Sequence, residues 1–367
     1  MKVLISGGGT GGHVFPALAI ADALKKINPQ TEILFVGALG KLEMNKVPAA
    51  GYSIIGLPVR GIQRKWSLKN ISVIYNLIKS LWMSFGIIRS FKPELVVGVG
   101  GYASGPVMQV ASWMNKPVLI QEQNSYPGIT NKLMAKAAKK ICVAFNGMEQ
   151  FFDKNKIVIT GNPVRKDLIQ KQNKSEAHLH FGLDPTKKTV GIFGGSLGAR
   201  SINDAMLHLT NEFDKMDIQW LWQTGNLYFE NLSQHLIAKK RNVKMLSFID
   251  RMDYAYAACD IVVARAGALT LAELCVQNKP CILVPSPNVA EDHQTKNAKT
   301  LVSQGAARMI SDAQLRNELL PQVMDLLNDE MACKEIQNNL QKLAKPDAAN
   351  NIAIEIIKLI PTVDHEV

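Results

Sequence analysis

The stretch LISGGGTGGHVFPALAIADAL, Leu4 to Leu24, has glycine at five of the six positions from Gly7 to Gly12, and His13 follows at once. Before the glycines, KVLI is a short apolar run. After them, PALAIADALKK sets Ala17, Leu18, Ala21 and Leu24 at helical spacing, with Lys25 and Lys26 in the last turn. The pattern is a buried strand, a tight turn and a helix, the opening unit of an α/β fold. Such a link leaves unpaired backbone N–H groups at the helix start, where the helix dipole also favours negative charge, so phosphate is the ligand it suits best.

Gly7, Gly9 and Gly12 also satisfy the G-x-G-x-x-G spacing of dinucleotide-binding proteins. That fingerprint needs an acidic residue at the end of the following strand, about 20 residues on, to hold a ribose hydroxyl. The next strand, TEILFVG, ends in Gly37 and Ala38, and Glu32 lies at its beginning. NAD is therefore not the expected ligand.

The 367 residues, 47% hydrophobic, suffice for two ordinary globular domains. Cys142, Cys259, Cys275, Cys281 and Cys333 form no C-x-x-C pair and read as buried thiols of a reducing compartment. No secretion signal is expected, because glycines interrupt the first apolar run after four residues. The longest apolar stretch, Ile71 to Phe91, is long enough to span a bilayer but carries Asn76, Lys79 and Arg89, which argues against a spanning helix.

Charge is divided unevenly. Residues 1–160 hold 19 Lys and Arg against 7 Asp and Glu, a balance of +12, while residues 161–367 hold 23 against 24, a balance of −1. Arg60, Arg64, Lys65 and Lys69 precede the apolar stretch, Lys79 and Arg89 lie within it, and Lys92 follows it. Apolar residues ringed by cations fit a surface lying on an anionic membrane; a core helix with a solvated basic edge fits equally. Nucleic acid is not an expected partner, since no recognition motif or stacking pattern accompanies the charge.

Strands and helices alternate along the chain. KVLI, EILFVG, SIIGL, LVVGVG, PVLIQEQ and KICVAF read as strands of the first half, and TVGIFGGS, IQWLWQTG, VKMLSFI, DIVVARAG and PCILVPSP as strands of the second. Strands apolar throughout and separated by helices predict parallel sheets covered on both faces, here two in tandem. The second half opens like the first, with Gly194, Gly195 and Gly198 between a strand and a helix, and TGNPVRKDL breaks regular structure at the join. A third glycine turn, in DIVVARAGALTLAELC, puts Glu273 within the first two turns of a helix. There it can accept both hydroxyls of a ribose or simply complement the helix dipole.

The motifs GGGTGGHVFPALA, GGYASGP, QEQNSYPGITNK, TGNPVR, GGSLGAR, RAGALTLAEL and EDHQTKNA follow one another from residue 3 to about residue 300. In order and approximate spacing they resemble the MurG family, the N-acetylglucosaminyltransferases of bacterial peptidoglycan synthesis. The resemblance implies two Rossmann-like domains facing across a cleft, the GT-B arrangement. It places an acceptor-binding, membrane-associating domain at residues 1–162 and a UDP-sugar-binding domain at 163–341, with a terminal helix at about 342–367 packing back on the first. It also implies inverting transfer of N-acetylglucosamine from UDP-N-acetylglucosamine to the 4-hydroxyl of N-acetylmuramic acid in undecaprenyl-linked lipid I, giving lipid II at the cytoplasmic face of the membrane. Proteins of the cell-wall machinery are implied partners, and no metal or other cofactor is implied.

Carried over by motif, the donor contacts are Thr10, Gly11, Gly12, Asn124, Arg165, Ser196, Ile249, Ala268, Leu269, Thr270, Glu273 and Gln294. Tyr102, Ser104 and Asn131 line the acceptor side. Inverting transfer needs an in-line attack, a base for the acceptor proton and stabilisation of the departing UDP. His13, at a helix start that favours the neutral imidazole, is the first base expected, and Glu122 is its rival. The chain departs from many members at Gln121, where histidine is usual, and at Leu197 and His293, where glutamine is usual. Glycolipid-forming glycosyltransferases and UDP-N-acetylglucosamine 2-epimerases share the fold and are the alternatives; a nucleotide-sugar-binding regulator would have no need of His13.

Overall fold

The computed structural model describes residues 1–59 and 69–360. Arg60, Arg64 and Lys65 lie outside the described residues. The chain divides into two compact units, Met1–Arg165 joined by the terminal helix, and Lys166–Lys345.

The first unit runs β1 (Lys2–Ser6), α1 (Gly11–Ile27), β2 (Glu32–Ala38), α2 (Glu43–Ala49), β3 (Ser53–Leu57) and α3 (Lys69–Phe91). It continues through β4 (Leu95–Gly98), α4 (Ser104–Trp113), β5 (Val118–Glu122), α5 (Ile129–Met134), β6 (Lys140–Val143) and β7 (Ile157–Ile159). All seven strands are parallel, in the order β3-β2-β1-β4-β5-β6-β7. Successive strand residues point to opposite faces, so each strand feeds two cores. Leu4, Val96 and Ile120 join Val107, Met108 and Ala111 of α4 on one face. Val3, Ile5, Val97 and Leu119 join Ala17, Ile20 and Leu24 of α1 on the other, together with Ile352, Ala353 and Ile356 of the terminal helix.

The second unit runs α6 (Lys174–Phe181), β8 (Lys188–Phe193), α7 (Arg200–His208), β9 (Ile218–Gln223), α8 (Phe229–Ser233), β10 (Val243–Leu246) and α9 (Met252–Ala258). After these come β11 (Ile261–Ala264), α10 (Ala268–Gln277), β12 (Cys281–Leu283), α11 (His293–Val302), β13 (Arg308–Met309), α12 (Leu315–Asn328) and α13 (Glu330–Leu343). The terminal helix of the first unit is α14 (Ala348–Leu359). The second sheet is also fully parallel, in the order β10-β9-β8-β11-β12-β13. Trp220 and Trp222 on β9 are fully buried, and the Trp222 indole N–H donates to Asn203 Oδ1 on α7 at 3.2 Å. Both units are thus Rossmann-like α/β sheets.

The strand order reverses between β1 and β4 in one sheet and between β8 and β11 in the other. Loops leaving the carboxyl ends of such neighbours part to opposite faces and open a crevice, the usual ligand position of open α/β sheets. The glycine-rich stretches lie at these two places. β7 and β13 are additions to the expected strands; they are edge strands of three and two residues, too short to show a periodicity.

Candidate functional site

In the first unit the loop after β1 meets the loop after β4. Gly8 donates its N–H to the Gly100 carbonyl at 3.3 Å. A methyl on Gly101 would lie 2.3 Å from the Gly8 carbonyl oxygen, so the two backbones touch where no side chain fits. Part of the glycine requirement is therefore internal to the fold.

Glu43, at the start of α2, occupies the rest of the loop's inner side. Its carboxylate is 1% exposed and accepts from the N–H of Gly9 at 2.8 Å and of Ala38 at 2.9 Å. A methyl on Gly8 would stand 2.1 Å from Glu43 Oε1. An acidic group does reach the end of the second strand, as the dinucleotide fingerprint requires, but the protein's own backbone uses it. Sequence spacing missed Glu43 because it lies on the following helix and turns back.

Thr10 and the first residues of α1, Gly11 and Gly12, lie at the surface of this loop. His13 is half-buried, with Nδ1 3.3 Å from the Thr10 hydroxyl oxygen. The ring lies against Gly100, where a methyl would come within 2.9 Å of Nε2. Tyr102, in the same turn, is exposed. Ser104 is fully buried and donates its hydroxyl to the Gly101 carbonyl at 2.9 Å, so it braces the turn that carries Tyr102.

Glu122 ends β5 and is 1% exposed. Oε1 accepts from the Asn124 N–H at 2.9 Å and Nδ2 at 3.3 Å; Oε2 accepts from the Gly128 N–H at 3.1 Å and Asn131 Nδ2 at 2.8 Å. Burial pushes its pKa up and these donors oppose the rise. This geometry ties the QEQNSYPG loop to α5 and holds Asn124 and the buried Asn131 in place. Both carboxylate oxygens thus accept hydrogen bonds from within the same unit. Gln121 donates Nε2 to Asn162 Oδ1 at 3.1 Å, and Asn162 donates Nδ2 to the Gln123 carbonyl at 2.9 Å, which fixes the segment leading to the half-buried Arg165.

In the second unit, Ser196 is exposed in the loop between β8 and α7. The loop is held by backbone contact with the end of β9: Gly198 has φ +81°, and a methyl there would meet the Thr224 carbonyl oxygen at 2.2 Å. Ala268, Leu269 and Thr270 form the first turn of α10, whose N–H groups lack helical partners by construction. Glu273 is half-buried one turn further and accepts from the Tyr256 hydroxyl at 2.9 Å. Ile249 is buried, 2% exposed. Gln294, on α11, accepts the Ser286 N–H at 2.9 Å. Ahead of it, Glu291 and Asp292 have φ of +57° and +49°, the strained backbone that concentrates at functional turns.

Arg265, directly after β11, ties these loops together. It donates to the carbonyls of Val284 and Pro285 at 3.2 Å each, to Asp312 Oδ1 at 2.6 Å and to the Ser201 hydroxyl at 2.7 Å. Its spacing in the sequence gives no sign of this role, because its partners lie on three separate segments. Among the described residues no group of three or more His, Cys, Asp or Glu is placed to hold a metal ion.

Two family models match the chain: the glycosyltransferase family 28 N-terminal domain over residues 3–143 and the family 28 C-terminal domain over 189–352. The UDP-N-acetylglucosamine–N-acetylmuramyl-(pentapeptide) pyrophosphoryl-undecaprenol N-acetylglucosamine transferase of Parabacteroides distasonis is 52% identical over 98% of this chain and 98% of its own length. The transferase of the same name from Bacteroides fragilis is 51% identical over 98% of this chain and 96% of its own length. The chain belongs to the MurG family. The crystal structure of Acinetobacter baumannii MurG superposes with a TM-score of 0.76 at 27% identity, covering 97% of this chain and 99% of that one. A UDP-GlcNAc 2-epimerase from Neisseria meningitidis shares the fold at a TM-score of 0.69 and 15% identity, covering 98% of this chain and all of its own. The MurG family is thus matched in sequence as well as in fold, and the epimerase in fold alone.

Proposed function

We propose that this protein transfers N-acetylglucosamine from UDP-N-acetylglucosamine to the 4-hydroxyl of the N-acetylmuramic acid in lipid I, with inversion, to form lipid II. The observation that carries the reading is identity of about half the residues, along nearly the whole chain, with transferases of that name.

The second unit takes the nucleotide. Glu273 accepts the ribose hydroxyls, the Ile249 backbone meets the uracil, and the N–H groups of Ser196 and of Ala268, Leu269 and Thr270 face the diphosphate. Gln294 braces the loop at its edge. Arg165, Asn124, Thr10, Gly11 and Gly12, in the first unit, are the remaining residues that the family's motifs assign to the donor. Tyr102 and Asn131 lie on the acceptor side.

In the reaction His13 takes the proton of the acceptor hydroxyl as its oxygen bonds to the anomeric carbon. The bond from that carbon to the β-phosphate oxygen breaks, and UDP leaves with the electron pair. Helix N-termini and Arg165 stabilise the charge that develops on the diphosphate. Glu122 holds the loop against which the acceptor binds.

The membrane surface is α3. Its inner side buries Ser80, Ser84 and Ile88 and packs on α4. Its outer side exposes Ile74, Tyr75, Ile78, Trp82 and Phe85, with Trp82 73% exposed, beside the exposed Lys79 and Arg89. Among the described residues no helix is long and apolar enough to cross a membrane. An apolar outer face flanked by cations suits peripheral attachment to the anionic cytoplasmic leaflet, where lipid I is presented.

The test is incubation with radiolabelled UDP-N-acetylglucosamine and a short-chain lipid I analogue. Label should enter the lipid product only when the muramyl acceptor is present. Donor binding without transfer to a competent acceptor would overturn the reading.

A further inference from the structure

The geometry points to Tyr256 as the residue that positions Glu273 for the ribose, and so sets the preference of the site for ribonucleotide over deoxyribonucleotide diphosphates. This rests on the reading of Glu273 as the ribose ligand. Tyr256 lies on α9, is 1% exposed, and packs edge-on against Phe193 at the end of β8, with ring centroids 5.7 Å apart and planes at 88°. Its backbone and ring are therefore fixed by the core, and its hydroxyl donates to Glu273 Oε2 at 2.9 Å.

A buried phenol needs a partner for its O–H, and an ionised carboxylate is a strong one. The consequence for Glu273 is conformational. A half-exposed glutamate on a helix samples several rotamers, and a ligand that needs one of them pays for the others in lost entropy. The bond from Tyr256 removes that freedom before the nucleotide arrives. A carboxylate offers about four lone-pair positions. One accepts from the phenol, and this sets the direction in which the carboxylate meets the adjacent 2′- and 3′-hydroxyls of a ribose. A sugar lacking the 2′-hydroxyl forgoes one of these bonds, but the discrimination is sharp only while the carboxylate is held still.

The test is calorimetric binding of UDP and of 2′-deoxy-UDP to the full chain and to its Tyr256→Phe, Glu273→Asp and Glu273→Ala variants, with melting temperature followed in parallel. Tyr256→Phe should weaken UDP binding about tenfold and 2′-deoxy-UDP binding less, so that the ratio between them narrows. Donor KM should rise by a similar factor while kcat at saturating donor holds. Glu273→Asp, which withdraws the carboxylate from the phenol without touching the core, should narrow the same ratio. If Tyr256→Phe leaves both affinities unchanged, or weakens both equally, Tyr256 is a packing residue and the proposal fails. Unchanged UDP binding in Glu273→Ala would instead remove the ribose role of Glu273 itself.

Discussion

His13 and Glu43 serve the same glycine loop in different ways. His13 is half-buried beside Thr10 with its ring against Gly100, and Glu43 turns inward to hold the backbone of the same loop at Gly9. His13→Ala should lower kcat by about 10² to 10⁴ if the imidazole takes the acceptor proton, with donor KM changed little; steady-state kinetics at saturating acceptor measures this, and an unaltered kcat assigns the proton elsewhere. Glu43→Ala would strand the buried N–H of Ala38 and release that of the exposed Gly9 to water, so unfolding free energy should fall by roughly 1–3 kcal/mol in urea titration. A loss below half a kcal/mol would mean that water replaces the carboxylate without penalty. His13 was legible because it stands beside the glycines. Glu43 was not, because nothing in its spacing shows that α2 folds back onto the loop.

Helix α3 shows how an element can be evident in sequence while its orientation is not. Its apolar run was plain, but a core helix and a membrane-facing helix differ only in which side packs, and α3 carries apolar residues on both. Small serines mark the packed side: Ser80 and Ser84 return their hydroxyls to the carbonyls of Asn76 and Ser80, at 2.6 and 2.7 Å, and are buried. The larger Ile78, Trp82 and Phe85 are left outside. Replacing Ile78 and Trp82 with serine should abolish most sedimentation with anionic vesicles while solution turnover on a short-chain acceptor persists. Unchanged sedimentation would place the membrane contact on another element. The strands were easier to read, since burial on both faces makes them continuous apolar runs; only the short edge strands β7 and β13 escaped notice.

Across the whole molecule, burial sets the chemistry of the thiols. Cys142 in the first unit and Cys259 and Cys275 in the second are pushed up to about 12, and Cys281 is raised as well, in each case mainly by burial. The folded protein thus keeps protons that the unfolded chain releases above about pH 8.5, so stability should fall as pH rises from about 9 towards 12. Half-buried Lys279, whose pKa is lowered by desolvation, works in the opposite sense but is one group against these four thiols and Cys333, which burial also raises. Urea midpoints at stepped alkaline pH measure the trend, and a flat profile would contradict it. At pH 8 a thiol reagent should modify half-buried Cys333 first and the other four only after unfolding. The α/β class, the paired parallel sheets and the three glycine turns were all written in local patterns, because strand burial and tight turns constrain the residues that form them. The partners of Glu43, Tyr256 and Arg265 came from the folded chain, since each reaches a segment on another element and a side chain's spacing carries no record of which backbone it will meet.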